Sequence, residues 1–120
     1  NQKLLIAIDQ EGGVVQRLKK DMGFVDTLSA KDIAINGENF AKQSYKALAL
    51  DLKDVGINLD FAPVVDLAIN KNNKVIVTRG RSFGQSSSEV IKYASIFVDE
   101  LKNRCNFSFK TFPRTWFIFS

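Results

Sequence analysis

Apolar residues along the chain recur in two different rhythms. Lys3 to Asp9, KLLIAID, is a short unbroken apolar run closed by an acid, the pattern of a strand buried in a parallel sheet. Ile57 to Asp66, INLDFAPVVD, repeats that design, and Pro63 predicts that its regular part stops near Ala62, because proline has no N–H for the ladder. Between these runs the period lengthens to that of a helix. Phe40, Ala41, Ser44, Ala47, Leu48, Leu52 and Val55 fall on one face of a segment starting at Glu38, with Gly56 suited to the position after its last turn. A shorter helix capped by Ser29 is expected to run through about Ile35 and to break at Asn36-Gly37. After Asp66 come the polar loop NKNNK and the glycine-bearing VIVTRGRSFG. Ser86-Ser87-Ser88-Glu89 then reads as a capping box, opening a helix whose face is Val90, Ile91, Ala94, Phe97, Val98 and Leu101 and which runs to about Asn103.

Strand, helix, strand, helix, with a third strand due near residue 105, predicts an α/β fold with a parallel sheet and right-handed crossovers. Two or three parallel strands leave faces and edges uncovered, so the sheet is expected to continue elsewhere or to be a piece of something larger.

Composition adjusts this picture only slightly. The 45% apolar and 25% charged fractions are those of a globular protein. No apolar run approaches the roughly 20 residues needed to span a bilayer, and no membrane role is expected. The N-terminal residues carry no basic-then-apolar signal pattern, although the chain starts at Asn1 and a true N-terminus is expected upstream. Net charge is +4, but Arg104, Lys110 and Arg114 lie in a tail without acids and the rest is near neutral. With no basic stripe interleaved with aromatics, nucleic acid is not an expected partner. The single Cys105 makes no intrachain disulfide or metal cluster, and no cofactor or metal is expected. The absence of histidine removes the commonest acid/base side chain.

In parallel α/β folds functional groups collect at the C-terminal ends of strands. Asp9 closes the first run and Asp66 follows the second, with Arg17 and Arg81 on loops leaving the same end. Carboxylates that accept two hydroxyls and guanidinium forks that donate two bonds suit a polyhydroxylated ligand. The same residues also read as solvated loop charges or structural ion pairs. Gly12-Gly13 fits a phosphate-cradling turn less well than a close backbone approach, since neither GxGxxG nor GxxxxGKS is present.

Taken together, LLIAIDQEGGVVQRL, GINLDFAPVVDL and RSFG resemble the N-terminal domain of family 3 glycoside hydrolases, especially the β-N-acetylhexosaminidases of bacterial cell-wall recycling. That family carries IDQEGGRVQR, GINLDFAPVLDV and a RSFG loop in this order. The resemblance covers most of residues 1–103. It implies part of a (β/α)8 TIM barrel, about strands 2 to 4 and incomplete, since a whole barrel takes roughly 250 residues. It implies substrate-binding roles for Asp9, Arg17 and Arg81, with a site-supporting role for Asp66. Val14 stands where the family has Arg, and VIVTRGRSFG is a residue or two longer than the usual VIGDRSFG, which leaves Arg79 as an alternative to Arg81. The implied substrate is a sugar, β-linked N-acetylglucosamine on peptidoglycan fragments, and the implied compartment is the cytoplasm.

The tail, residues 104–120, departs from all this. It holds half of the ten Phe and the only Trp. Where the family has KHFPGHG, the chain reads FKTFPRTWF, with Lys110 in step. One allowed set of codons for Lys110 to Phe117, AAA ACA TTT CCC AGG ACA TGG TTT, spells Lys-His-Phe-Pro-Gly-His-Gly when read one base over. Extended over Arg104 to Phe119, the same shift yields GVISVLKHFPGHGLSS. The expectation is a one-base frameshift after Asn103, with CNFSF still imitating a strand through the β propensity of Phe. Lys110 is Lys in both frames and stays a candidate sugar contact. By resemblance, the acid/base His and the nucleophile Asp of a retaining glycosidase lie beyond this chain. The chain alone is then expected to be inactive, unless a complementary downstream fragment restores a split enzyme; a non-enzymatic sugar-binding module is the alternative.

Overall fold

The computed structural model of the protein describes residues 4–102, 104, 106–111 and 115–119. Four strands form one sheet in the order of the chain. They are β1 (Ala7–Ile8), β2 (Leu59–Asp60), β3 (Asn106–Thr111) and β4 (Thr115–Phe119). The first three run parallel: Ala7 pairs with Leu59, and Leu59 in turn with Asn106. Helices α1 (Ala30–Asn36) and α2 (Glu38–Asp54) make the first crossover, and α3 (Ser87–Leu101) makes the second. Strands that follow one another without a reversal of order give a sheet wound in one direction only. This is the α/β architecture expected from the sequence.

The paired strands are shorter than the apolar runs that announce them. Over Leu4 to Ile6 the side chain of Asn58 supplements the ladder. Its Oδ1 accepts from the Ile6 N–H at 2.7 Å and its Nδ2 donates to the Leu4 carbonyl at 2.8 Å. Backbone bonds then take over, and the Phe61 N–H donates to the Ile8 carbonyl at 2.8 Å. Leu4, Leu5 and Ile6 stay exposed on this outer edge, whereas both residues of the central β2 are buried.

The helix bounds and caps follow the sequence, but the buried faces are turned from those expected. Phe40, Val55 and Ile91 are exposed, whereas Tyr45, Ala49, Tyr93 and Ile96 are buried, because the neighbouring helices and not the apolar count decide which side is covered. The Ser29 hydroxyl accepts from the Asp32 N–H and caps α1, which ends at Gly37. The Ser86 hydroxyl accepts from the Glu89 N–H at 3.3 Å and caps α3, while the Glu89 carboxylate lies against Gly84. The apolar faces of the three helices meet in one core built on Ile33, Tyr45, Leu48, Leu52, Phe83, Phe97 and Leu101. Tyr45 sits edge-on to Phe97 with ring centres 4.7 Å apart, and Phe83 stacks on Tyr93 at 5.8 Å.

The tail forms more secondary structure than its composition suggested. Strand β3 runs parallel to β2, as expected of CNFSF, and β4 then returns antiparallel, pairing Phe109 with Phe117 and Lys110 with Trp116. Asn-Phe-Ser-Phe-Lys-Thr alternates with period two, and Trp, Phe and Ile suit extended backbone. Residues 112–114, Cys105 and the Lys110 side chain lie outside what is described.

Candidate functional site

The first strand ends in Asp9-Gln10-Glu11-Gly12-Gly13, and each of these residues has a distinct task. Gly12 and Gly13 have φ of 107° and 59°. A Cβ on Gly12 would collide with the Leu28 carbonyl, and one on Gly13 would lie 2.7 Å from Cβ of Ser29. The glycines therefore serve a close approach of this turn to the segment that caps α1. The Gly13 N–H donates to the Thr27 carbonyl at 2.8 Å, which fastens the two together.

Around that turn the charged residues converge. Arg17 reaches Asp9 at 3.8 Å, with side chains 59% and 36% exposed. Arg81 lies deeper. Its Nε donates to Glu11 Oε2 at 3.0 Å and its Nη2 to Glu11 Oε1 at 2.8 Å, a two-point fork with side chains 14% and 7% exposed. Its Nη1 donates to the Val75 carbonyl at 3.3 Å. Hydrogen bonding to the Glu11 carboxylate holds the pKa of the Arg81 guanidinium above its usual value against the opposing effect of burial, and the charges of Glu11, Asp9 and Asp66 add to it. Asp66 is half-buried, and its backbone carbonyl accepts from the Ser82 hydroxyl at 2.6 Å, which ties it to the loop that carries Arg81.

Asp9, Arg17, Asp66 and Arg81 thus share one rim, at the C-terminal ends of β1 and β2. Arg79 stands apart: it is exposed and lines a cleft of about 390 Å³ with Gly13, Gln16, Asp26 and Asp32. The Lys110 side chain is outside the described residues, although its backbone lies in β3, the next parallel strand. Among the described residues, no three His, Cys, Asp or Glu side chains are grouped to hold a metal ion. No described helix is long and apolar enough to cross a membrane.

Sequence reasoning passed over three residues: Gln10, Glu11 and Asp60, all of them buried. Glu11 partners Arg81, while Asp60 Oδ1 accepts from the Gln10 N–H at 3.0 Å. A carboxylate inside a mostly apolar run, as Asp60 is in INLDFA, was the available signal.

Against known families, the model for the glycosyl hydrolase family 3 N-terminal domain matches residues 1–113. The chain belongs to glycosyl hydrolase family 3. A beta-hexosaminidase of Photobacterium profundum is 35% identical over 99 residues, covering 82% of this chain and 28% of that protein. The chain therefore spans under a third of the length of this relative. Among solved structures, the β-N-acetylhexosaminidase of Beutenbergia cavernae superposes with a TM-score of 0.83 at 30% identity, over 92% of this chain and 34% of that one. NagZ from Neisseria gonorrhoeae in complex with N-trifluoroacetyl-D-glucosamine gives 0.79 at 31% identity, over 94% and 34%. The glycosyl hydrolase match ends at Pro113, within the tail.

Proposed function

We propose that this chain supplies part of the sugar-facing rim of a β-N-acetylhexosaminidase barrel, covering about its second to fourth strands. The observation that carries the reading is the convergence of Asp9, Arg17, Asp66 and Arg81 at the C-terminal ends of β1 and β2. That end of a parallel sheet is where such barrels bind and cleave their substrates. Asp9 is half-exposed and accepts sugar hydroxyls, and Arg17 donates beside it. Among the described residues, Arg81 gives three of its five N–H groups to Glu11 and Val75, and the second N–H of Nη1 and of Nη2 are its proposed means of touching a ligand. Asp66 supports the rim, and Lys110 adds a further contact from the third parallel strand. The substrate class is a β-linked N-acetylglucosaminide, such as a peptidoglycan fragment, and the bond cleaved in the whole enzyme is the O-glycosyl bond.

This chain has no histidine, and by family resemblance it also lacks the nucleophilic Asp. On this reading it binds sugar without hydrolysing it. Titration with N-acetylglucosamine is expected to give binding that is abolished in Asp9→Ala and Arg17→Ala; binding that persists in both variants overturns the proposal. A second role is as half of a split enzyme completed by a downstream fragment, since the family resemblance implies that the acid/base His and the nucleophile Asp come from residues other than these 120. Co-expression of the two is expected to release the dye from a chromogenic N-acetylglucosaminide, and no release from the pair counts against it. The tail from Arg104 onward is proposed to be a frameshifted stretch, and coding DNA that does not spell KHFPGHG one base over rejects that origin.

A further inference from the structure

We infer that Gln10, seated by Asp60, is a positioning residue for Arg17. The inference rests on the sugar-rim reading for its functional meaning and on geometry alone for its structural content. Gln10 is only 3% exposed, between two residues that face the rim. Its side chain turns back under the loop. Oε1 accepts from the Arg17 N–H at 2.7 Å and from the Leu18 N–H at 3.1 Å, while Nε2 donates to the Leu18 carbonyl at 2.9 Å. A single amide thus satisfies three backbone groups at the point where the loop starting at Asp9 comes back beside it. Few side chains have an acceptor and a donor on one planar group, and glutamine has the reach to present both.

Gln10 is held in its turn. Its N–H donates to Asp60 Oδ1, and Asp60 is completely buried in the central strand β2. A chain of contacts therefore runs from the middle of the sheet through Gln10 to the backbone of Arg17. The guanidinium of Arg17 depends on it. At 3.8 Å its approach to Asp9 is too long for a hydrogen bond, and its side chain is largely in solvent. What places the head group beside Asp9 is where its backbone is fixed. Asp9 and Gln10 are adjacent, so the same anchor sets both members of the pair.

The test uses the full chain. In wild type the Arg17 and Leu18 amides are expected to resist hydrogen exchange. Gln10→Met keeps length and volume but loses both polar functions, and exchange at these two amides should accelerate about tenfold or more. Gln10→Glu keeps the acceptor and should restore part of the protection. Affinity for N-acetylglucosamine should fall about tenfold in Gln10→Met. In an Arg17→Lys background the same substitution should cost much less, because the residue acts through Arg17. Val90→Ala, matched in lost stability, should leave the affinity unchanged. Unaltered exchange at Arg17 and Leu18 in Gln10→Met overturns the inference, as does an affinity loss equal in the two backgrounds. A wild-type chain that binds no sugar overturns the sugar-rim reading instead, and the exchange rates then still decide whether Gln10 holds the loop.

Discussion

Arg81 and Glu11 are joined by two hydrogen bonds within a largely buried setting, so removing Arg81 takes from a buried carboxylate the cation it forks with. Arg81→Met is expected to cost about 3–5 kcal/mol, and the double variant Glu11→Leu, Arg81→Met should recover most of that loss in denaturant unfolding. Tyr45 presents a separate case. Burial, and then the charges of Glu11 and Asp60, push its phenol well above the usual value of 10. Between pH 10 and the raised value, native Tyr45 keeps a proton that the unfolded chain has lost. Its contribution is therefore complete below pH 10 and declines as pH rises, by about 1.4 kcal/mol per pH unit. Stability measured from pH 9 to pH 11 should fall more steeply in wild type than in Tyr45→Phe. The sequence offers no sign of this: a tyrosine on an apolar helical face does not reveal which carboxylates the fold brings near it.

At the scale of elements, the caps were the most legible feature. Ser86 in SSSE marks the first turn of α3, and the hydroxyl bond to the Glu89 N–H is present. Ser86→Ala should lower stability by about 1 kcal/mol and Ser86→Asp by much less, as read from thermal or urea unfolding. Glycine stops were legible for the same reason, since they depend on residues within a turn or two of one another, but the helix faces were only partly so: Phe40, Val55 and Ile91 are exposed and Tyr45, Tyr93 and Ile96 are buried. Strand lengths were not. KLLIAID promises a longer strand than Ala7–Ile8 because hydrophobicity records a tendency to be covered, whereas pairing needs a neighbour on the correct side. The rim was half legible. Asp9 and Arg17 lie close in sequence, but Arg81 meets Glu11 only through the second crossover, which no local pattern encodes. The antiparallel return of β4 is carried by the tail's own alternation and by the β propensity of Trp, Phe and Ile, which likeness to a family block does not register.

For the whole molecule, the outer edge decides behaviour in solution. Among the described residues, strand β1 has a partner on one side only, and Leu4, Leu5 and Ile6 are exposed at that edge. The isolated chain is expected to self-associate as concentration rises, and Leu5→Lys should shift sedimentation toward the monomer. A wild-type chain that stays monomeric with a sharp two-state thermal transition would show this edge to be harmless. The Glu11–Arg81 fork has a further consequence during biosynthesis. Its partners are 70 positions apart, so Glu11 leaves the ribosome long before the guanidinium that will neutralise it has been made. The fork itself can close only after the second crossover has been translated, which makes this tie between the DQEGG turn and the RSFG loop a late event in synthesis.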